Sequence, residues 1–454
     1  MNKKLISLAV AAALVAPAAA MAEATLYGKL NVSLDYASVK NVVLPTYGFL
    51  TAPNGQVVLT NGLPTLVQTA PGEDFDGWGM SSNGYIPGEG RASRLGVKGS
   101  EDLGGGLKAI YQVEFGVNLN DTNDNVLNNA DAITMRNSFV GLAGGWGTFL
   151  MGRHDTPLKI STSKLDLFAD TMADYNGTVG FRDLRADNAV AYISPSWGGF
   201  TFAAAIIPSG GATGAGRGLN LNESELAGAY SLAGIYSNGP FYASIAYESL
   251  GNEHFNTQNV SLNQSDCPVE TVTRLGVSST CNFNDSDATA WRVGLGLLDW
   301  NGFSLTGIYE QRDNEFTAGV NGTTSDTYVA FDSFTNSAFS FFLPGASESA
   351  ELWQIQAGYA FGNSQIKAMY GQADYSGDQV VGAGYIGSLG GALAADQLAG
   401  RYDNNVETWG VGFDYNFSKR TKVYTLYTDV SNDNSDYTSQ SEWSGFSLGM
   451  MHSF

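Results

Sequence analysis

The sequence has few of the residue types from which most metal centres and nucleophilic active sites are built. Of its 454 residues only two are cysteines and three are histidines, and the histidines are scattered at His154, His254 and His452. A metal site or a catalytic triad needs several such side chains at related spacings. The hydrolase pattern G-x-S-x-G does occur at Gly445–Gly449, but it lies in an alternating strand and not at the required strand-to-helix turn. The sequence therefore predicts no cofactor and no enzyme.

Basic residues are scarce as well. The chain has 23 Lys and Arg against 44 Asp and Glu, which gives a formal net charge of −21. Nucleic-acid binders rely on Lys and Arg to displace the counterions of the phosphates, and a surface of negative sign repels phosphate. We therefore expect no nucleic acid among the partners.

Long hydrophobic runs are absent beyond the first residues. Residues 1–22, MNKKLISLAVAAALVAPAAAMA, combine Lys3 and Lys4 with a short alanine-rich apolar stretch and a small-residue end. These are the parts of a secretory signal peptide, with cleavage expected after Ala22. No later window approaches the roughly 18 consecutive apolar residues of a membrane helix. The mature chain is therefore expected to be residues 23–454, exported from the cytoplasm.

The two cysteines, Cys267 and Cys281, stand in a polar stretch of this exported chain. Disulfides persist outside the cytoplasm, so we expect a bridge between them. Closing a loop of this length stabilises a protein by about 3 kcal/mol in the chain-entropy treatment. A metal site is the lesser alternative, because no histidine or second cysteine pair accompanies them.

Alternation of apolar and polar residues is what the chain has in abundance. In the first mature segment, Leu26, Leu30, Val32 and Leu34 fall on one face, and polar residues fall on the other. About sixteen such segments follow one another, and short Gly- and Asn-rich turns alternate strictly with long polar loops. Each segment is close to the 9–11 residues that a tilted strand needs to cross a bilayer.

This asymmetry of turns and loops is typical of an outer-membrane barrel and has no cause in a water-soluble sandwich. Aromatic residues near the strand ends fit the girdles at the two membrane interfaces; they are Tyr236, Phe241, Trp291, Trp300 and Trp353. Strands span lipid only in a closed barrel, and sixteen strands leave an aqueous channel inside. The sequence therefore predicts an all-β fold, a transmembrane antiparallel barrel of about sixteen strands over residues 23–454.

Several segments resemble the Gram-negative general (trimeric) porin family. They are LYGKL in the first strand, SRLGVKGSEDLGGGLKAIYQVE and RNSFVGLAGGWGTFLMGRHDTP over the next hairpins, and the ending GMMHSF. The resemblance implies a homotrimer in the cell outer membrane, in contact with lipid and lipopolysaccharide, with pores for small hydrophilic solutes and ions. It also implies that the barrel-assembly machinery reads the last strand. The outward residues of that strand are Phe446, Leu448, Met450 and His452, followed by the terminal Phe454.

The resemblance further implies a third extracellular loop that folds into the barrel, here Asp155–Asp187. Asp170 and Asp174 match the acidic positions of the family's pore constriction, and Asp166 stands four residues earlier. On a helix these three acids share one face, and the opposite face is apolar. The apolar residues are Leu165, Phe168 and Met172. We therefore expect a short amphipathic helix that packs on the inner wall and points its acids into water.

Opposite these acids, the family places basic side chains on the barrel wall. The matching positions are Lys29, Arg94, Arg136 and Arg185, and Arg153 and Arg182 are candidate further members. Strand parity places the first two on the polar faces of their strands. A solvated strand end is the alternative for any single one of them.

The leading function is passive diffusion, and the acid excess predicts a mild cation preference. Two unit charges about 7 Å apart in water interact by about 0.6 kcal/mol, enough for a bias of about threefold. Two alternatives remain open. One is a substrate-selective porin whose long loops, such as Asn314–Gly322, bind a sugar or oligosaccharide. The other is a structural or adhesive barrel with a plugged lumen.

Overall fold

The computed structural model describes most of the predicted strands and the turns between them. The described residues are 24–43, 46–50, 52–53, 58–60, 63–64, 66–70, 73–82, 91–120, 133–208, 226–250, 288–313, 327–332, 337–342, 349–379, 385–386, 391–392, 400–432 and 442–454. The predicted signal peptide, the predicted Cys267–Cys281 bridge and the loop Asn314–Gly322 lie outside these residues.

Sixteen antiparallel strands form one closed barrel within the described residues, because the last strand pairs with the first. This confirms the predicted architecture. In chain order the strands are β1 (Thr25–Val43), β2 (Glu73–Ser81 and Arg94–Gly104), β3 (Leu107–Val117), β4 (Ile133–Met135 and Ser138–Gly144), β5 (Gly147–Asp155), β6 (Arg185–Ile193), β7 (Phe200–Ile207), β8 (Ala229–Asn238), β9 (Phe241–Leu250), β10 (Ala288–Trp300), β11 (Phe303–Asp313), β12 (Ser349–Phe361), β13 (Ser364–Gln379), β14 (Gly400–Asn416), β15 (Thr421–Asn432) and β16 (Trp443–Ser453).

Strand β2 is longer than its sequence indicated. Its segment Glu73–Ser81 pairs with the far half of β1, and Arg94–Gly104 pairs with the near half. Alternation of apolar and polar residues is weak in Glu73–Ser81, which contains Gly77 and Gly79. The segment is a strand because β1 continues to Val43 and offers it a row of backbone partners.

The connections contain a few further elements. Helices α1 (Pro157–Thr162) and α2 (Tyr175–Thr178) lie between β5 and β6, in a segment that we call the inner loop, residues 156–184. Short hairpins pair Thr46–Phe49 with Leu66–Ala70, Leu59–Thr60 with Leu63–Pro64, Thr327–Asp332 with Ser337–Phe342, and Tyr385–Ile386 with Gly391–Ala392. Among the described residues, no helix is both long and apolar enough to cross a membrane.

The outward faces of the strands are apolar and exposed. Aromatic pairs lie near both ends of the barrel: Phe200 contacts Tyr236 beside a short turn, with ring centroids 4.6 Å apart, and Trp409 contacts Tyr427 near the long loops, at 5.3 Å. Interfacial girdles occupy these two heights in membrane barrels. The outward positions predicted for β16 are all exposed.

Inside the barrel, the packed core lies between the inner loop and the wall. Leu158 of α1 sits on a patch of small residues from β7 to β10; its members are Ala203, Ala233, Ala246 and Ala290. The rest of the inner loop packs against inward residues of β9 to β16 and of β1. Inward polar residues such as Lys29, Asn31 and Glu114 lie on the strands from β1 to β6.

The lipid-facing positions predict a depth-dependent cost of charge. We expect Ile355→Arg, at the centre of β12, to destabilise the barrel by about 2–4 kcal/mol, and Phe361→Arg, at the end of the same strand, by about 0–1 kcal/mol. Both side chains are exposed on the outer surface. Denaturant unfolding of protein refolded into lipid vesicles measures the two costs. Equal costs would contradict the assignment of this face to lipid.

Candidate functional site

The inner loop does not form the expected helix between Leu165 and Asp174. Thr171 N–H donates to the Phe168 carbonyl and Asp174 N–H to the Thr171 carbonyl, both at 3.1 Å, so the chain makes tight turns. Asp170 has a φ of 61°, which breaks any helix. Aspartates compete with a helix by bonding nearby backbone N–H groups. Asp166 and Asp174 both do so here.

The apolar side of the inner loop packs as predicted. Leu165, Phe168 and Met172 are fully buried against the inner wall. Their contacts lie on β10, β14 and β16, where glycines leave room for them. The apolar contacts therefore fix the loop even though its backbone is not helical.

The three acids do not share a face, and Asp166 does not point into water. Its Oδ1 accepts from Gln356 Nε2 at 2.9 Å and from Phe168 N–H at 2.8 Å, and Oδ2 accepts from Tyr175 N–H at 3.3 Å. Burial raises the pKa of the Asp166 carboxyl, and these hydrogen bonds oppose the rise. The expectation for Asp166 was wrong because the loop turns it towards the wall, where it is a buried anchor.

Asp174 bonds to the backbone of the inner loop. Its side chain caps α2 by accepting from Asn176 N–H at 3.0 Å, and its other oxygen accepts from Asp170 N–H at 2.8 Å. Asp174 therefore fixes the backbone that presents Asp170. It is partly exposed to the lumen.

Asp170 meets the basic side chains of the wall directly. Its carboxylate forms an ion pair with Lys29 on β1 and lies 3.9 Å from Arg94 Nη1 on β2. Its carbonyl accepts from Asn31 Nδ2 at 2.7 Å. The loop therefore touches this wall at Asp170, and water does not separate the acid from Lys29.

Of the four expected basic residues, Lys29, Arg94 and Arg185 lie on β1, β2 and β6. Arg136 lies between the two segments of β4. Glu114 on β3 lies between two of them and was missed. Its Oε1 accepts from Arg136 Nε at 2.8 Å, and its Oε2 accepts from the Tyr27 hydroxyl at 2.9 Å and lies 3.9 Å from Arg94 Nε. The signal was its inward parity on β3, but only the strand register shows which bases it meets.

Asp155 at the end of β5 is the second missed acid. It lies 3.0 Å from Arg185 Nε and 3.5 Å from Lys159 Nζ, and it accepts from Asn137 Nδ2 at 2.9 Å. Each of these two acids therefore lies beside a basic side chain of a neighbouring strand. We call the resulting set the charged row; its members are Lys29, Arg94, Glu114, Arg136, Asp155 and Arg185.

The two further candidates have other partners. Arg153 forms an ion pair with Asp187. Arg182 belongs to the inner loop, where its backbone N–H donates to Glu310 Oε1 at 2.9 Å. Among the described residues, no group of three or more His, Cys, Asp or Glu side chains is placed to hold a metal ion.

Buried ion pairs hold the end of the inner loop. Arg292 on β10 is fully buried and donates to Glu310 Oε2 at 2.5 Å, to Asp183 Oδ1 at 2.8 Å and to the Arg182 carbonyl at 2.6 Å. Arg312 donates to Glu310 Oε1 at 2.6 Å. Removing one partner from such a network leaves an uncompensated buried charge, so the loop is strongly held at this end.

A second polar anchor holds the middle of the loop. Lys367 on β13 donates to the Leu167 carbonyl at 2.8 Å and to Asp414 at 3.1 Å, and its Nζ lies 4.7 Å from the centre of the Phe168 ring. Gln356 accepts from Leu167 N–H at 2.6 Å. The loop is therefore fixed on several strands at once.

A closed sixteen-stranded barrel with lipid-facing girdles and a charged inner loop defines an outer-membrane channel protein. A model of the Gram-negative porin family matches residues 8–435, so the chain belongs to the Gram-negative porin family. It is a passive, non-enzymatic channel of the outer membrane.

Relatives and solved structures agree with this family. The major outer membrane protein P.IB of Neisseria lactamica is 26% identical over 429 residues, which cover 93% of this chain and 91% of the relative. An outer membrane porin protein of Bordetella pertussis is 23% identical over 452 residues, 95% of each chain. The anion-selective porin from Comamonas acidovorans shares the fold with a TM-score of 0.53, 18% identity and coverage of 95% of this chain and 99% of that one. Salmonella typhi OmpF does so with a TM-score of 0.54, 15% identity and coverage of 95% and 97%.

Glu114 provides a test of the charged row. Glu114→Gln removes the carboxylate beside Arg94 and Arg136, so we expect the cation-to-anion permeability ratio to fall by up to about threefold. Reversal potentials in a KCl gradient measure the ratio. Glu101→Gln, at an exposed position of β2, removes the same charge away from the row and serves as the control. An equal shift in both variants would show that the row has no special effect.

Proposed function

We propose that the protein is a general diffusion porin whose water-filled pore is narrowed where the inner loop meets the charged row. The observation that best supports this function is the position of Asp170. It projects from a loop packed inside the barrel and pairs with Lys29 on the wall. A loop held in this way narrows the lumen. It leaves a channel that selects solutes by size and charge and needs no specific binding site.

The constriction, in this proposal, consists of Asp170 together with the charged row. Arg94, Arg136 and Arg185 keep part of their side chains exposed, so they are accessible to a passing solute. Asp174 acts by holding Asp170, and Asp166 acts by anchoring the loop. Charges at contact distance largely cancel beyond a few ångströms, so each contributes only a weak, local bias to an ion.

A mild cation preference remains part of the proposal, but its origin differs from the one first expected. Four basic residues of the charged row face Glu114, Asp155 and Asp170, so the constriction holds no acid excess. The excess of 44 acids over 23 bases in the chain must then lie at other positions. Acids around the pore mouths raise the local cation concentration, and salt screens this effect.

We also propose a homotrimer in contact with outer-membrane lipid and lipopolysaccharide, and recognition of β16 by the barrel-assembly machinery. The family resemblance of the sequence supports these partners. The exposed outward row of β16 and the terminal Phe454, which exchanges backbone hydrogen bonds of 3.0 Å with Gly28, are consistent with a strand that closes the barrel last.

Planar-bilayer recording tests the function. We expect refolded protein to insert as open, ohmic channels in groups of three equal conductance steps, because a trimer carries three pores. Addition of maltose or longer maltodextrins should leave the current unchanged. Concentration-dependent block by a sugar would favour the substrate-selective alternative, and absence of conductance would favour the plugged barrel.

The salt dependence of selectivity tests the origin of the cation preference. The Debye length is about 30 Å at 0.01 M and about 3 Å at 1 M ionic strength. We therefore expect the reversal potential to indicate cation preference in dilute KCl and to approach no preference in concentrated KCl. A preference for chloride at low salt would overturn the assignment of sign, and a salt-independent preference would place its origin at the constriction.

A further inference from the structure

We propose that glycines on the inner wall, Gly294, Gly296 and Gly445 above all, are positioning residues that set the width of the pore by admitting side chains of the inner loop. The inference rests on the proposed function, because it takes this loop as the constriction. A glycine inside a strand weakens the strand and often marks the close approach of another chain segment. Here the approaching segment is the inner loop itself.

Leu165 lies against two of these glycines, and we call the space above a wall glycine that holds a loop side chain a seat. A Cβ atom at Gly294 would lie 2.5 Å from Leu165 Cδ1, and one at Gly296 would lie 2.6 Å from Leu165 Cδ2. Carbon atoms pack best at about 3.5–4.0 Å. Leu165 is fully buried.

Hydrogen bonds fix the backbone around this seat. The Thr306 hydroxyl donates to the Leu165 carbonyl at 2.8 Å, and the Tyr242 hydroxyl donates to the Ser161 carbonyl at 2.7 Å. The wall therefore holds the loop at the depth that the two glycines allow. A methyl group at either glycine would overlap a terminal methyl group of Leu165. In this proposal the leucine and the loop that carries it shift together towards the lumen.

Other apolar side chains of the inner loop also lie against wall glycines. A Cβ at Gly445 on β16 would overlap the sulfur atom of Met172, one at Gly371 on β13 would lie 2.8 Å from Val179 Cγ2, and one at Gly412 on β14 would lie 3.0 Å from Phe168 Cε1. Four separate strands thus carry a glycine or glycine pair opposite an apolar loop side chain. The loop lies deep against the wall because these positions lack side chains.

Two strand glycines provide matched controls. A Cβ at Gly234 on β8 would meet nothing nearer than 3.9 Å, and one at Gly307 on β11 nothing nearer than 4.0 Å. Both changes from glycine to alanine add the same methyl group to a strand of the barrel. Neither presses on the inner loop.

The first experiment compares single-channel conductance and the largest neutral sugar that passes. We expect Gly296→Ala and Gly445→Ala to lower both, and Gly234→Ala and Gly307→Ala to leave both unchanged. Heat-resistant gel mobility checks that each variant still forms a folded barrel. Normal conductance in both Gly296→Ala and Gly445→Ala would overturn the proposed effect of these glycines on pore width.

Compensating substitutions separate loop displacement from a general effect on the barrel. Leu165→Ala removes the atoms that a Cβ at Gly296 would strike, and Met172→Ala does the same for Gly445. We expect each double variant to regain conductance relative to its glycine-to-alanine parent. Double variants that stay as low as their parents would show that the methyl group does not act through the loop, and would overturn the proposal.

A distance measurement distinguishes failure of this inference from failure of the proposed function. Spin labels at Ala169 on the inner loop and Lys98 on β2 lie at exposed positions, and Cys267 and Cys281 are replaced by serine beforehand. Because β2 is across the barrel from β10, Gly296→Ala should shorten the label-to-label distance. A shorter label-to-label distance with normal conductance would show that the methyl group at Gly296 displaces the loop. It would also show that this loop is not the constriction, which would contradict the proposed function. An unchanged label-to-label distance would overturn the inference that Gly296 positions the inner loop.

Discussion

The backbone's need for hydrogen-bond partners in lipid is the constraint on which this structure depends. Lipid offers no donor or acceptor, so every strand must pair on both sides and the last must meet the first. The pairing of β16 with β1 meets this requirement. Closure of sixteen strands creates a lumen too wide for wall side chains to fill. The inner loop partly fills this space, and its packing against the wall provides the only large apolar core that the described residues form inside the barrel.

Inside that lumen, two kinds of contact fix the position of the inner loop. Apolar side chains enter spaces above wall glycines, and buried charges such as Arg292 and Glu310 fix the loop's end. The result is a loop that is held on one side of the barrel and presents Asp170 to the other. The packing of the loop makes the constriction rigid. The ion pair between Asp170 and Lys29 keeps the local net charge small.

Most of the fold and part of the site could be predicted from the chain alone. The period of two along each strand, the alternation of short turns and long loops, and the outward row of β16 are local patterns, and each was confirmed. The burial of Leu165, Phe168 and Met172 also followed from sequence. The helix did not, because the spacing of Asp166, Asp170 and Asp174 is compatible with a helix but does not reveal that two of these carboxylates bond to backbone N–H groups instead. The strand Glu73–Ser81 could not be recognised from its own sequence. It forms because β1 continues to Val43 and pairs with it.

The basic positions Lys29, Arg94, Arg136 and Arg185 were expected from the resemblance to the porin family. By itself, the sequence determined the closed barrel and its orientation of polar and apolar faces. These properties follow from side-chain alternation and from the requirement that lipid imposes on any strand. Only the tertiary structure decided which charges meet. Glu114 and Asp155 reach their bases through the register of neighbouring strands, and Asp166 turns away from water because Gln356, distant in sequence, offers it a partner. Contacts of this kind depend on pairings between distant parts of the chain, which no local pattern of residues records.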